Sequence, residues 1–224
     1  MAILHQPASD VRGAGHRAGN SLRQALLACG IVSSLLWPIV SQVSAAWLWP
    51  GYSSFSQTIS ELTSVGAPTR PPMLVEGALY SALLVAFGIG VWQSAPANRA
   101  LRVTGALLLA YGAVGPLWYP FPMTARGDIG PTTALTDVMH IVLGVADTVL
   151  MLSILGFGAA ALGRHFRIYS LLTVAVVLAG GASTFAFVSS GGPAGTARHP
   201  SARRQPWHAV PLDGGAQRSH RGRN

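Results

Sequence analysis

Long runs of apolar residues alternate with short polar segments along most of the chain. A bilayer core requires about 20 mostly apolar residues of helix, and five runs are that long. They cover residues 25–49, 73–93, 101–121, 135–162 and 168–188. Trp47, Trp92, Trp118 and Tyr119 lie near the ends of these runs, where amphipathic rings favour the membrane interface. The pattern predicts an all-α fold, a polytopic helical membrane bundle with five spans.

The composition agrees with a membrane protein. Hydrophobic residues make up 50% of the chain and charged residues only 10%, whereas a soluble domain carries about 25% charged residues. The sequence contains no P-loop, dinucleotide-binding fingerprint, cysteine metal cluster or nucleic-acid-binding motif. We therefore predict no cofactor, no bound metal and no nucleic-acid partner, and the lipid bilayer is the predicted surrounding.

The distribution of arginine predicts the orientation of the bundle. Arginines are concentrated in a basic leader, residues 1–24, and in the second and fourth loops: Arg12, Arg17, Arg23, Arg99, Arg102, Arg164 and Arg167. Because short cytoplasmic segments are enriched in basic residues, we expect a multi-pass protein of the cell membrane with a cytoplasmic N-terminus. The first and third loops then face outside.

The first apolar run has a second interpretation as a secretory signal peptide. The small residues of "VSAAW" near its end resemble a cleavage site. The run is longer than the usual 7–15 residues, however, and a long leader precedes it. These features favour an uncleaved first span.

The C-terminal segment, residues 189–224, conflicts with the predicted orientation. Residues 190–224 hold six arginines and one aspartate, yet five spans would place them outside. One interpretation is a disordered Arg/Gly/Pro-rich tail, since such a composition cannot bury a core. The other, which its aperiodic mixture of Gly, Pro, Ala, Arg and His favours, is a frame-shift product.

The first loop, "SSFSQTISELTSVGAPTRPP", has signals for local structure. Thr58 and Glu61 form a T-x-x-E capping box, which starts a helix. Gly66 and Pro68 suit its end. We expect a short amphipathic helix followed by an extended "APTRPP", forming a lid at the outer mouth of the bundle.

This loop also carries a family resemblance. "GYSSFSQTISELTSVGAPTRPP", together with the later "FPM", "RG" and "LTDVMHIVLG", resembles the bacterial integral-membrane family catalogued as domain of unknown function 998. The resemblance covers residues 28–188 and implies a polytopic helical bundle, commonly of six spans, with no established activity. A missing sixth span would also explain why the arginine-rich tail conflicts with the orientation.

Ionisable residues inside the predicted spans form a candidate site, because such residues are costly in a membrane. At 100° per residue, Asp147 lies about 20° and Asp137 about 60° from His140 around the helix. They form one polar stripe on the fourth span. With an acid in the second span and two charged residues in the first loop, the candidate polar site comprises Glu61, Arg70, Glu76, Asp137, His140 and Asp147.

Several functions are compatible with this site. The first is an outward-facing pocket that binds or transports a small solute or a lipid headgroup. The second is a non-catalytic accessory membrane protein, in which Asp137 caps its helix and His140 joins helices by hydrogen bonds. The third is an intramembrane lipid hydrolase that uses Asp137 and His140. Whether the protein is an enzyme stays open, and Asp147 discriminates: exposure in a cavity with His140 favours binding or catalysis.

Overall fold

The computed structural model describes residues 8–54, 57–124 and 133–189, and their regular structure is helical. Five α-helices and two short 3₁₀ helices occur in these residues. They are α1 (Ala8–Leu48), α2 (Arg70–Gln93), α3 (Arg99–Val114), α4 (Thr133–Ala161) and α5 (Arg164–Ser189), with the 3₁₀ helices Ile59–Thr63 and Gly115–Trp118.

Five helical segments are long and apolar enough to cross a membrane, which confirms the predicted fold class. They are Gly19–Leu48, Arg70–Gln93, Arg99–Trp118, Leu135–Ala161 and Arg164–Ser183. Helix α1 begins at Ala8, so much of the basic leader continues the first span as helix. The predictions for the C-terminal tail concern residues 190–224, which lie outside the described residues.

The helices pack in chain order. Helix α2 contacts both α1 and α3, α3 contacts α4, and α4 contacts α5. Helix α2 is the centre of the bundle, and 33% of its most apolar window is buried, compared with 6% for α4 and for α5. The outer helices present apolar side chains on their surfaces, including Val176 and Ile141, which are 72% and 65% exposed. In a bilayer such side chains contact lipid.

Small residues bring α2 and α3 close together. A Cβ atom on Gly88 would lie 2.9 Å from the backbone nitrogen of Leu109, and one on Gly105 would lie 2.8 Å from that of Trp92. Close backbone approach at small residues is the usual way for helices to associate in lipid. Gly112 packs in the same way, with a Cβ position 2.9 Å from the Ser81 carbonyl oxygen.

The first loop is folded against the bundle. Leu62 of the 3₁₀ helix is 1% exposed and forms a core cluster with Ala45 and Met73. Gly66 has a φ of +82°, a conformation that only glycine adopts without strain. The expectation of an extended "APTRPP" segment is wrong: α2 begins at Arg70. Prolines fit the first helical turn, since its N–H groups have no intrahelical acceptor.

Candidate functional site

A cavity lies between α1, α2, α3 and α4, at the end of the bundle that carries the first loop. Its volume is about 360 Å³, within the usual range of ligand sites. Its lining extends from Ile59 and Arg70 at the loop to Leu84 within α2. Since Leu84 follows Arg70 by 14 residues, the cavity reaches about 21 Å along the helix axis, toward the middle of the bundle.

Aromatic rings form much of the cavity lining. They are Trp37, Tyr80, Tyr111, Trp118 and Tyr119, contributed by α1, α2, α3 and the segment after α3. The rings of Trp37 and Tyr80 pack with centroids 5.8 Å apart. The cavity is thus largely apolar, with polar groups at a few positions, as is common for small-molecule sites.

The polar stripe of α4 lies along one segment, residues 118–124, that follows α3. Each stripe residue forms a hydrogen bond with this segment. The bonded atoms are Asp137 Oδ1 and Thr124 N at 2.8 Å, His140 Nδ1 and the Phe121 carbonyl oxygen at 3.0 Å, and Asp147 Oδ2 and Trp118 Nε1 at 3.0 Å. The three residues therefore face the same way, as the helical spacing predicts, and they attach the segment to α4.

His140 lines the cavity and has a defined orientation. Because the Phe121 carbonyl can only accept a hydrogen bond, Nδ1 of His140 carries a proton and donates it. The imidazole also packs against the Trp118 indole in a T-shaped arrangement with centroids 4.6 Å apart. In the neutral ring, Nε2 is then the acceptor.

Asp147 also lines the cavity, and its carboxylate is incompletely hydrogen-bonded. Oδ2 accepts from Trp118 Nε1, whereas Oδ1 is buried without a partner among the described residues. Asp147 shares the cavity lining with Tyr80 and Tyr111. The deepest acid of the predicted stripe therefore lies beside the aromatic wall of the cavity.

Asp137 does not line the cavity. It is the fifth residue of α4, so it follows the position of an N-cap, and its half-buried side chain accepts the Thr124 N–H. Its contact in the structure is with the segment after α3. Asp137 therefore attaches this segment to α4.

Glu61 is buried within the first loop and also lies outside the cavity lining. Its Oε1 accepts the Thr58 backbone N–H at 3.0 Å, and its Oε2 accepts from Gln57 Nε2 at 3.2 Å. The first of these bonds is the glutamate half of the capping box that the sequence predicts. Glu61 stabilises the start of the 3₁₀ helix.

Arg70 lines the cavity at its loop end. Its guanidinium donates to the Thr63 carbonyl at 2.5 Å and to the Tyr119 carbonyl at 3.4 Å. These bonds join the first loop, the N-terminus of α2 and the segment after α3. Arg70 thus fixes the rim of the cavity.

Glu76 is 4% exposed, and neither carboxylate oxygen has a hydrogen-bond partner among the described residues. Glu76 is not part of the cavity lining, but its charge acts on Tyr80 and Tyr119. Both tyrosines line the cavity. The structure places this acid next to the cavity wall, one helical turn before Tyr80.

Two tyrosines outside the spans have perturbed titration. Burial raises the pKa of Tyr52, and the Glu61 carboxylate raises it further. Burial likewise raises the pKa of Tyr119, with a contribution from Glu76. Both effects keep the phenol protonated, and the Tyr119 hydroxyl donates to the Leu74 carbonyl at 3.2 Å.

Sequence reasoning missed most of the aromatic wall. Tyr80 and Tyr111 lie inside α2 and α3, away from the interface where tyrosine is usual, and this position was the available signal. Ser60 and Ser81, whose hydroxyls are possible nucleophiles, also line the cavity. No hydrogen bond joins either serine to His140 among the residues that the structure describes.

Metal ligation finds no support in the described part of the chain. No group of three or more His, Cys, Asp or Glu side chains is placed there to hold an ion. Arg126 and Asp128 of the third loop lie outside the described residues.

Comparison with known proteins gives one match. A family model described as "Protein of unknown function (DUF998)" matches residues 12–214. No curated protein and no solved structure matches the chain. The match includes the residues 28–188 that carry the resemblance and continues into the arginine-rich segment.

Proposed function

The chain belongs to the DUF998 family, and we propose that it binds or transports a small solute or a lipid headgroup in the cavity lined by α1, α2, α3 and α4. In this proposal the first loop and the cavity mouth face outside the cell. The proposal goes beyond the family, whose description gives no activity.

One observation carries the proposal: His140 and Asp147 line the same cavity. An ionisable group inside a span is costly unless it is paired or faces a polar space. Within the described part of the chain Asp147 has a single hydrogen bond, from Trp118, so its surroundings leave it capacity for a further partner. A packed accessory helix would not require such an acid beside a cavity.

The hydrolase alternative is less well supported. Acid–base catalysis requires side chains that reach the same substrate atoms. Asp137 is bound to Thr124 N and lies outside the lining, whereas His140 lines the cavity. Of the pair assigned to hydrolysis, His140 is therefore part of the cavity lining and Asp137 is not.

Filling the cavity tests the proposal. Gly77 lines the cavity, and a Cβ atom there would meet only the Tyr119 side chain, at 3.6 Å, so Gly77→Leu adds volume to the cavity. Leu74→Phe is a second filling variant, and Leu74 also lines the cavity. Gly156→Leu is the matched control, because Gly156 is exposed on α4 with nothing within 4 Å.

Three water-soluble probes with a common phenyl group report on occupancy of the cavity. Benzyltrimethylammonium is a cation, benzyl alcohol is neutral and phenylmethanesulfonate is an anion. Binding to the full chain in lipid nanodiscs is measured by ligand-observed saturation-transfer NMR. We expect at least one probe to bind the unmodified chain and Gly156→Leu, and to lose binding in both filling variants. Equal signals for all chains would overturn the proposal.

The predicted orientation has a separate test. In a Cys29→Ser background, Val65→Cys places a thiol on the first loop, where Val65 is 62% exposed. Ala97→Cys, also exposed, places one between α2 and α3. A membrane-impermeant maleimide added to intact cells should label the first and spare the second. The reverse result would place the cavity mouth in the cytoplasm.

A further inference from the structure

We propose that the ligand of this cavity is an organic monocation, an ammonium group with an apolar body, and that Asp147 is its counter-ion. The inference rests on the proposed function and names the chemical class of the ligand. The cavity supplies two features that such a ligand needs: a carboxylate with free acceptor capacity and a wall of aromatic rings.

The acceptor capacity lies at Asp147. An ionised carboxylate offers about four lone-pair sites, and Asp147 uses one, for Trp118 Nε1. Among the described residues, Arg70 is the arginine of the cavity lining, and it is bound to two backbone carbonyls at the rim. Asp147 Oδ2 accepts from Trp118, and Oδ1 has no partner among the described residues. Arg70 is therefore not the counter-ion of Asp147.

Aromatic rings line the same cavity as Asp147. Trp118 bonds directly to Asp147, and Tyr80 and Tyr111 are part of the same lining. Ring faces attract cations through their quadrupoles, and quaternary ammonium ligands are commonly recognised in this way. Aromatic rings in one cavity with a carboxylate thus favour a cationic group with attached carbon over a hydrated inorganic ion.

The alternative of an anionic ligand is less favourable, because the arginine and the histidine among the described lining residues already donate to backbone carbonyls. The Arg70 guanidinium serves the Thr63 and Tyr119 carbonyls, and the Nδ1–H of His140 serves the Phe121 carbonyl. An anion in the inner part of the cavity would also lie beside the Asp147 carboxylate. The charge of Asp147 and the engagement of Arg70 and of His140 Nδ1 therefore both favour a cation.

The experiment compares two identical substitutions on one helix. Asp147→Asn removes the counter-ion, and Asp137→Asn is the matched control, because Asp137 lies outside the lining and asparagine keeps its oxygen for Thr124 N. Affinities for benzyltrimethylammonium, benzyl alcohol and phenylmethanesulfonate are measured for the full chain in nanodiscs of phosphatidylglycerol. Thermal midpoints of both variants confirm that they are folded.

We expect the cation to bind the unmodified chain at least tenfold more tightly than the anion. Asp147→Asn should weaken cation binding about tenfold, the loss of one charged partner, and leave benzyl alcohol unchanged, while Asp137→Asn changes neither. Preference for the anion, or equal loss in both variants, would overturn the inference. The proposed function would survive that result, since it fails only if no probe depends on the cavity volume.

Two sources supply an ammonium group of this kind, a lipid headgroup and a free solute. Repeating the titration in nanodiscs that contain phosphatidylethanolamine distinguishes them. Weaker apparent binding of benzyltrimethylammonium in these discs identifies the lipid headgroup as a competitor. Unchanged binding identifies a free organic cation.

Discussion

Glu61 of the first loop and Glu76 of the bundle are buried to almost the same extent, 3% and 4% exposed, but in different surroundings. Glu61 accepts hydrogen bonds from the Thr58 backbone N–H and the Gln57 side chain. Neither oxygen of Glu76 has a partner among the described residues. Two acids that are buried to a similar extent are therefore expected to affect the stability of the fold in opposite directions.

The difference separates the roles of the two regions. A buried polar group stabilises a fold when it is hydrogen-bonded and costs free energy when it is not. The loop is held together by its acid and by Arg70, which bonds to Thr63 and Tyr119. The bundle instead contains two acids, Glu76 and Asp147, with oxygens that have no partner among the described residues. The acid of the loop is stabilised by hydrogen bonds, whereas the two acids of the bundle are available to the proposed ligand or destabilise the fold.

The largest effect is expected at the loop acid. Glu61→Ala removes the acceptor of Thr58 N–H and of Gln57, so the free energy of unfolding should fall by about 3 kcal/mol. Glu61→Gln keeps one oxygen for Thr58 and should cost less. Thermal midpoints in detergent measure both. A midpoint unchanged in Glu61→Ala would contradict the structural role of Glu61.

The bundle acid should respond in the opposite direction. Glu76→Met replaces an unpartnered buried carboxyl by an unbranched apolar side chain, and the free energy of unfolding should rise by about 2 kcal/mol. Thermal midpoints in detergent measure this effect, and Glu61→Ala is measured under the same conditions for comparison. A loss similar to that of Glu61→Ala would show that Glu76 has a stabilising partner, and the contrast between the regions would disappear.

A smaller effect is expected at the contact between Trp118 and Asp147. Trp118→Phe keeps an aromatic ring near His140 but removes the one donor to Asp147, at a cost of about 1 kcal/mol. Trp47→Phe, at an 81% exposed position on α1, is the control and should have no measurable effect. Equal shifts of the two thermal midpoints would mean that this hydrogen bond does not stabilise the bundle.

Much of the fold is predictable from sequence because the number and length of the apolar runs determine the number of spans. The five spans follow from five apolar runs, and their ends differ by a few residues where local chemistry decides. The predicted second span starts at residue 73, whereas α2 starts at Arg70, because Pro71 and Pro72 are compatible with a first helical turn. The capping bond of Glu61 follows from the T-x-x-E spacing.

The candidate site is predictable only in part. Helical spacing places Asp137, His140 and Asp147 on one face, but it does not identify what that face contacts. The partner segment, residues 118–124, follows α3 and reaches α4 only through tertiary packing. The same packing brings Tyr80 and Tyr111 from two helices to one wall. Periodicity within one helix carries no information on such contacts.

The smallest expected effect is a loss of stability at alkaline pH, which involves Tyr52 of the first loop. The pKa of Tyr52 is raised above its ordinary value of 10.0 by burial and by the Glu61 carboxylate. A group whose pKa is higher in the folded state contributes stability below its unfolded pKa and loses it as pH rises through the folded value. The thermal midpoint should therefore fall above pH 10, and Tyr52→Phe should reduce this fall. Tyr169→Phe, at a 63% exposed position on α5, is the control. Identical alkaline slopes for the two variants would mean that Tyr52 does not titrate as its burial and the Glu61 charge require.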